Sequence, residues 1–247
     1  MITLKSSEDL VKMRVACNVL KLVHQELRAM IKPGITGVEL DKRAEEIIHQ
    51  HQCQPNFKGL YGFPATICVS INDVLVHGIP NNTPLKNGDL VSIDAGCAYQ
   101  GFNSDGAFTM IVGEPLSDLH QQLVDITKNA LDHAIAILKP GVRIGDIGHV
   151  IQEYVEGNGF FLPQEFTGHG IGKELHEDPH IPNVGEPHTG LRLQAGMTIC
   201  IEPMVQIGTA KIKMLSDGWT PVSVNGLPSA HFEHTILITE TGHEVLT

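Results

Sequence analysis

The tripeptide Lys32-Pro33-Gly34 returns as Lys139-Pro140-Gly141, 107 residues further along the chain. The residues that follow the two copies match in kind: Ile35 with Val142, Leu40 with Ile147, Glu46 with Glu153 and Ile48 with Val155. A second segment repeats at an offset of 108, where Leu85-Lys86-Asn87-Gly88 is answered by Leu193-Gln194-Ala195-Gly196. Proline cannot continue a helix and glycine accepts the left-handed backbone that closes one, so each K-P-G marks a helix end. The first helix is readable upstream. Ser6 and Asp9 form a capping box, and Leu10, Met13, Cys17, Leu20, His24 and Leu27 fall on one helical face. A second helix is expected from Val38 to about Gln50, then strands over 66–71 and 89–95. Each half therefore reads helix, K-P-G, helix, antiparallel strands. Two repeats of this size cannot make a solenoid; they pack face to face around a pseudo-twofold axis. The expected fold class is α+β, with two αβ halves and a central antiparallel sheet covered by helices. The whole of 1–247 forms one domain, with repeats at approximately 9–115 and 116–247.

At 42% hydrophobic residues the chain can bury a sizeable core, and the formal net charge of −11 disfavours nucleic acid or anionic membrane as a bulk partner. Lys211 and Lys213 could form a local basic patch, but two such lysines read more simply as a solvated strand face. Five scattered cysteines with no C-x-x-C spacing suggest neither a disulfide framework nor a cysteine zinc site. No apolar run reaches the roughly 20 residues that span a bilayer, and no apolar leader precedes the first helix. A cytoplasmic protein is expected.

The chemistry concentrates in acidic residues on apolar strands. Alternation in Val91-Ser92-Ile93-Asp94-Ala95 puts Ser92 and Asp94 on one face. Tyr99-Gln100-Gly101 suits a hairpin turn, and a turn centred near Tyr99 and Gln100 sets Asp94 directly opposite Asp105, with Cβ atoms roughly 4.5–5.5 Å apart. Two like charges so placed need a neutralising cation. Taken alone, Asp105 reads as part of a solvated loop, Asn103-Ser104-Asp105-Gly106. The second half supplies the complement. Glu202 ends an apolar strand at the position that corresponds to Asp94, and Glu233 opens another; carboxylates in such strands rarely stay unpaired. His169 is framed by glycines in Gly168-His169-Gly170-Ile171-Gly172, which permits close backbone approach. Two Asp, two Glu and one His balance two divalent cations. Oxygen-rich ligation of this kind suits Mn, Fe or Co better than a structural zinc site.

Several motifs in this order resemble the methionine aminopeptidase family. They are Val76-His77-Gly78-Ile79-Pro80, the Asp94/Asp105 pair, Gly168–Gly172 with His176-Glu177-Asp178-Pro179, Ile201-Glu202-Pro203-Met204 and Glu233-His234-Thr235. The match covers essentially the whole chain, and the short bacterial type I form is the best fit. The resemblance implies the pita-bread fold and two divalent ions per chain, Co, Mn or Fe, with Zn or Ni as further candidates. It makes Asp94 a ligand of one metal, His169 and Glu202 ligands of the other, and Asp105 and Glu233 bridges. It also makes a metal-activated bridging hydroxide the nucleophile on the first peptide carbonyl, with Glu202 as proton shuttle. His176 would hydrogen-bond the substrate carbonyl and His77 the peptide group beyond the scissile bond. Phe57, Leu60, Phe63, Cys68, Leu175 and Trp219 would line the methionine pocket. Leu60 stands where tyrosine is common, Leu175 where phenylalanine is common, and Gly106 where a small hydroxyl residue is frequent. The implied activity is removal of the initiator methionine from nascent proteins and peptides with a small second residue. The implied partners are nascent polypeptides and, transiently, the ribosome, with no membrane or specific DNA, the protein acting as a monomer.

Three other readings compete. His176-Glu177-Asp178-Pro179-His180 literally matches H-E-x-x-H, but that zinc motif needs both histidines on one helical turn, and Pro179 breaks such a helix. Prolidase and aminopeptidase P share the ligands but usually carry a large extra domain for which this chain has no room. A non-catalytic binder on the same fold would have lost ligands, and none of the five is lost. G-x-S-x-G is absent, so a serine hydrolase is not supported.

Overall fold

The computed structural model describes residues 2–247. Four helices carry the frame: α1 (Ser7–Met30), α2 (Gly37–Gln50), α3 (Asp118–Ala136) and α4 (Ile144–Gly157). The strands of the first half are β1 (Gln54–Pro55), β2 (Ile67–Ile71), β3 (Leu90–Tyr99) and β4 (Phe102–Ile111). Those of the second half are β5 (Gly168–Gly170), β6 (Glu177–Ile181), β7 (Thr198–Ile201), β8 (Met204–Gln206), β9 (Ile212–Met214), β10 (Pro221–Ser223), β11 (Ser229–His231), β12 (Glu233–Ile238) and β13 (His243–Val245).

The helix ends follow the local chemistry. The Ser6 hydroxyl accepts the Asp9 N–H and the Asp9 carboxylate accepts the Ser6 N–H, which satisfies two donors at the start of α1. Thr36 and Glu39 do the same for α2. The two K-P-G segments then make the same bonds. The Gly34 N–H donates to Leu85 C=O (2.8 Å) and Leu85 N–H returns to Ile35 C=O (2.8 Å). Likewise Gly141 N–H donates to Leu193 C=O (2.9 Å) and Leu193 N–H to Val142 C=O (2.8 Å). Gly34 and Gly141 sit at φ +96° and +94°, a left-handed region where a side chain would be strained. The matched apolar positions Leu40, Ile48, Ile147 and Val155 are all fully buried.

Seven strands run β1-β3-β4-β12-β7-β5-β6 across one antiparallel sheet, with β2 pairing β3 and β13 pairing β12. Helix α1 packs on β3 and β4 with α2 beside it, and α3 packs against α4 and against β8 and β11. The halves join where β12 lies between β4 and β7: Glu233 pairs with Ala107 and His234 with Gly106 on one side, and His234 pairs with Ile201 on the other. This α+β arrangement, a curled antiparallel sheet flanked by helices, is the pita-bread fold that the sequence motifs imply.

The β3–β4 hairpin corrects one expectation. Its two-residue loop is Gln100-Gly101, both at positive φ (48° and 80°), as the tight turn matched to strand twist requires. The centre lies one residue later than expected, so Asp94 pairs with Ala107 and Asp105 with Gly96. The two carboxylates are diagonal neighbours, not opposed ones. They still share a face, because moving the centre by one residue shifts the register by two. Asp105 also lies within β4 and is buried, not part of a solvated loop.

Among the described residues no helix is long and apolar enough to cross a membrane. All five cysteines are free and buried. Lys211 and Lys213 are exposed, Lys213 on the short β9 strand.

Candidate functional site

The five predicted ligands converge where the two halves meet. His169 is central, with Nε2 3.6 Å from Asp105 Oδ2, 3.7 Å from Glu202 Oε1 and 3.9 Å from Glu233 Oε1. Its other ring nitrogen, Nδ1, lies 2.8 Å from the Gly170 carbonyl oxygen, which places a proton on Nδ1 and turns Nε2 toward the carboxylates. The flanking glycines are sterically required. A Cβ at Gly168 would lie 2.3 Å from the Cys200 carbonyl oxygen, and one at Gly170 would lie 2.1 Å from that of Asp178. Thr235 locks Asp105 from behind: its hydroxyl donates to Asp105 C=O (2.8 Å) and accepts the Asp105 N–H (3.1 Å). Asn183 Nδ2 donates to the Glu202 carbonyl oxygen and fixes the backbone just past β7.

The electrostatics show what is needed to complete this cluster. Burial pushes the Asp94 carboxyl well above its usual range, and the charges of Asp105 and Glu202 push it further. Burial and the Asp105, Glu202 and Asp94 carboxylates do the same to Glu233. Burial alone would lower the His169 imidazole, but the Asp105 and Glu202 carboxylates outweigh it and hold its proton above the usual range. Asp94 Oδ1 and Glu233 Oε1 are sealed from solvent with no hydrogen-bond partner among the described residues. Among the described residues no lysine or arginine lines the cleft. Buried anions without a counter-charge, with unused oxygen lone pairs and one imidazole, fit divalent cations. Ligand atoms of Asp105, His169, Cys200 and Glu233 lie within 4.8 Å of one another, as do those of Glu202, His231 and Glu233. Two overlapping groups that share Glu233 fit a dinuclear centre. Asp94 stands outside both tight groups and joins the cluster through its contact with Asp105.

His77 and His176 stand at the rim. The His77 backbone is at φ +57°, and its ring meets Phe166 edge-on at 5.5 Å. Gly78 must be glycine, because a Cβ there would lie 2.3 Å from the Val69 carbonyl oxygen. The His176 ring lies edge-on to His169 at 4.6 Å. Desolvation in the cleft lowers the pKa of both, so each is a neutral imidazole at neutral pH, able to donate one hydrogen bond and accept one. Phe57, Leu60, Phe63, Cys68, Leu175 and Trp219 form one apolar cluster and line a cleft of about 340 Å³ that opens on the carboxylates. Phe63 and Trp219 meet edge-on at 5.3 Å.

The H-E-x-x-H reading fails on geometry. Glu177–Ile181 is strand β6, so His176 and His180 do not share a helical turn.

Sequence reasoning missed His231 and Cys200. His231 is 1% exposed, and its Nε2 lies 3.5 Å from Glu202 Oε2. The signal was present for Cys200, which precedes Glu202 by two residues and so shares its strand face, but not for His231, which ends β11 while Glu233 opens β12. Burial and the Glu233 and Asp105 charges push the Cys200 thiol well up, which makes it a neutral floor to the site. Tyr61, at φ +51° and 79% exposed, stacks on His176 with ring centroids 6.4 Å apart and was also missed.

Comparison with known proteins agrees with this geometry. Residues 11–240 match metallopeptidase family M24. The methionine aminopeptidase of Mycoplasma capricolum is 55% identical over 247 residues, all of this chain and 98% of that one. Methionine aminopeptidase 1 of Bacillus subtilis is 47% identical over all of this chain and 99% of its own. The crystal structure of the Thermotoga maritima methionine aminopeptidase superposes with a TM-score of 0.98 at 46% identity, covering 100% of this chain and 99% of that one. The chain therefore belongs to metallopeptidase family M24, among the type I bacterial-like methionine aminopeptidases.

Proposed function

We propose that this protein removes the N-terminal methionine from nascent proteins and peptides in a metal-dependent hydrolysis that prefers a small second residue. One observation carries the proposal: an apolar cleft lined by Phe57, Leu60, Phe63, Cys68, Leu175 and Trp219 opens on the carboxylate–histidine cluster. A thioether side chain fits such a wall, because it is unbranched and polarisable and packs against aromatic rings.

In this reading Asp94, Asp105, His169, Glu202 and Glu233 would hold two divalent ions, Asp105 and Glu233 serving both, as the family resemblance implies. When bound, these ions lower the pKa of water and polarise the scissile carbonyl. The remaining steps belong to the chain's own residues. The substrate's free α-amine sits at the Asp94 side of the cluster, which makes the enzyme an exopeptidase. Glu202, 14% exposed at its side chain, takes the proton released by the attacking water and passes it to the departing amine. His176 donates to the oxygen of the scissile carbonyl, and His77 meets the next peptide group; their depressed pKa keeps both neutral for this role.

The whole chain works as one catalytic domain of two repeats, at about 9–115 and 116–247, since the site draws on both. Mn, Fe and Co suit its oxygen-rich donors best. Free buried cysteines suit a reducing cytoplasm, where a monomer would meet emerging polypeptides at the ribosome.

The test is release of methionine from a peptide panel, with metal content measured on the same sample. Met-Ala-Ser should be cleaved, and a peptide with a bulky second residue should resist. Glu202→Ala should keep the fold and lose turnover by roughly 100-fold or more. Equal turnover of Leu- and Met-initiated peptides, or ordinary activity in Glu202→Ala, would overturn the reading.

A further inference from the structure

We propose that Lys5 is a positioning residue for His176, acting through a buried ion pair with Glu177. Lys5 is only 8% exposed, unusual for a lysine in a segment ahead of the first helix. Its Nζ lies 2.6 Å from Glu177 Oε2, and the two side chains are 3% and 12% exposed. A second bond runs from Nζ to the Thr3 carbonyl oxygen at 3.1 Å. The other Glu177 oxygen, Oε1, accepts the Glu174 N–H at 3.2 Å. The ammonium is thereby tied through one carboxylate to the loop that carries Leu175 and His176.

The loop is built around this contact. Gly172 lies against the lysine stem, and a Cβ there would fall 2.4 Å from Lys5 Cε and 2.6 Å from Glu177 Oε1. The same loop is held from the first half as well. Asn103 N–H donates to the Gly172 carbonyl oxygen (2.8 Å), and Asn103 Nδ2 donates to those of Gly172 (3.0 Å) and Lys173 (2.9 Å). Lys5 itself is anchored by its N–H to the Gly196 carbonyl oxygen at 2.8 Å, two residues before β7.

His176 depends on that loop for its place. Among the described residues its ring lies against those of His169 at 4.6 Å and Tyr61 at 6.4 Å and makes no hydrogen bond. No hydrogen bond holds the imidazole over the cluster, so its position is inherited from the backbone on either side. Loss of one partner of a desolvated ion pair leaves a buried charge that the loop must move to rehydrate. Displacement of a substrate-binding group by about 1 Å can cost on the order of 100-fold in rate.

The inference rests on the proposed role of His176, and a double-mutant cycle separates the two. Lys5→Met, His176→Ala and the double variant are compared as full-length, Mn²⁺-loaded enzyme on a methionyl tripeptide, with metal content measured on each. Lys5→Met should lower kcat roughly 10- to 100-fold with KM changed less than about twofold and metal content unchanged. In the His176→Ala background it should cost nothing further, because the two changes remove one function. Lys5→Arg, which retains the charge, should restore most of kcat. Glu177→Gln keeps the side-chain volume and serves for the same cycle if Lys5→Met fails to fold. Full kcat in Lys5→Met, or losses that multiply in the double variant, overturns the positioning role while leaving that of His176 intact. Full activity in His176→Ala overturns the role on which the inference rests.

Discussion

The carboxylate cluster should make Glu233→Gln more stable than wild type without metal, and the substitution should remove most of the stability that metal adds. Glu233 is 2% exposed and belongs to both groups whose ligand atoms lie within 4.8 Å of one another. At that separation two unit charges interact by about 3 kcal/mol at an effective dielectric of about 20. Part of this cost is already relieved, because burial and the neighbouring carboxylates raise the Glu233 pKa. The gain from a neutral amide is then about 1–3 kcal/mol, or a Tm rise of about 2–6 °C for a chain of this length. With metal at about 100 times its Kd, the wild type should gain about 2.7 kcal/mol, near 5 °C, while the variant lacks a shared ligand and gains little.

The assay is thermal unfolding of both proteins in a chelator and in excess Mn²⁺, from pH 6.5 to 8. The pH trend has a definite sign. Asp94 and Glu233 have raised pKa values in the fold, so their contribution is greatest at low pH and is lost as pH rises through those values. His169, also raised, acts in the same direction. The metal-free wild type should therefore melt lower at pH 8 than at pH 6.5, and Glu233→Gln should flatten the slope. A variant that loses as much Tm in chelator as in Mn²⁺, or a wild type whose Tm ignores metal, would refute the argument.

Other consequences follow from single residues. His180→Ala should keep its metal content and turn over within severalfold of wild type, since His180 is exposed and its Nδ1 meets Thr167 Oγ1 at 3.3 Å; a metal-free variant by elemental analysis would restore the H-E-x-x-H reading. Gly78→Ala must push a methyl group into the Val69 backbone, at a cost of about 2 kcal/mol or more, and should displace the adjacent His77. A melting temperature within about 1 °C of wild type would show that the strand yields freely. His24 has its Nε2 sealed from solvent, and burial lowers its pKa to about 3. Its contribution to stability is lost as pH falls below the unfolded value of about 6.5, at most about 2 kcal/mol by pH 5. His24→Phe should remove that part of the acid sensitivity, as read by urea unfolding at pH 7 and pH 5, and an unchanged loss would exclude His24 as its source.

Local chemistry and periodicity are properties of a few consecutive residues, which is why helix ends, repeat and strand faces were readable before any coordinates. Lys32-Pro33-Gly34 and Lys139-Pro140-Gly141 close helices wherever they occur. Alternation put Asp94 on the correct face even though the turn centre was misplaced by one residue, because side-chain parity survives a register shift of two. The same logic, extended two residues back from Glu202, would have found Cys200, whereas His231 ends a separate strand, β11, and needs the fold to bring it to Glu202.

Other features depend on pairings between segments far apart in the chain, and no local pattern encodes them. The placement of β12 between β4 and β7 alone brings Glu233 beside Asp105 and joins the two halves at one centre. Lys5 reads as an ordinary surface lysine until Glu177, 172 residues away, encloses it. The five-ligand set was thus legible as residue types on strand faces and in matching motifs. The separations among those groups, the pKa shifts that follow from them and the loop that carries His176 were decided only by tertiary packing, because Coulomb energy and desolvation depend on distance in space, not along the chain.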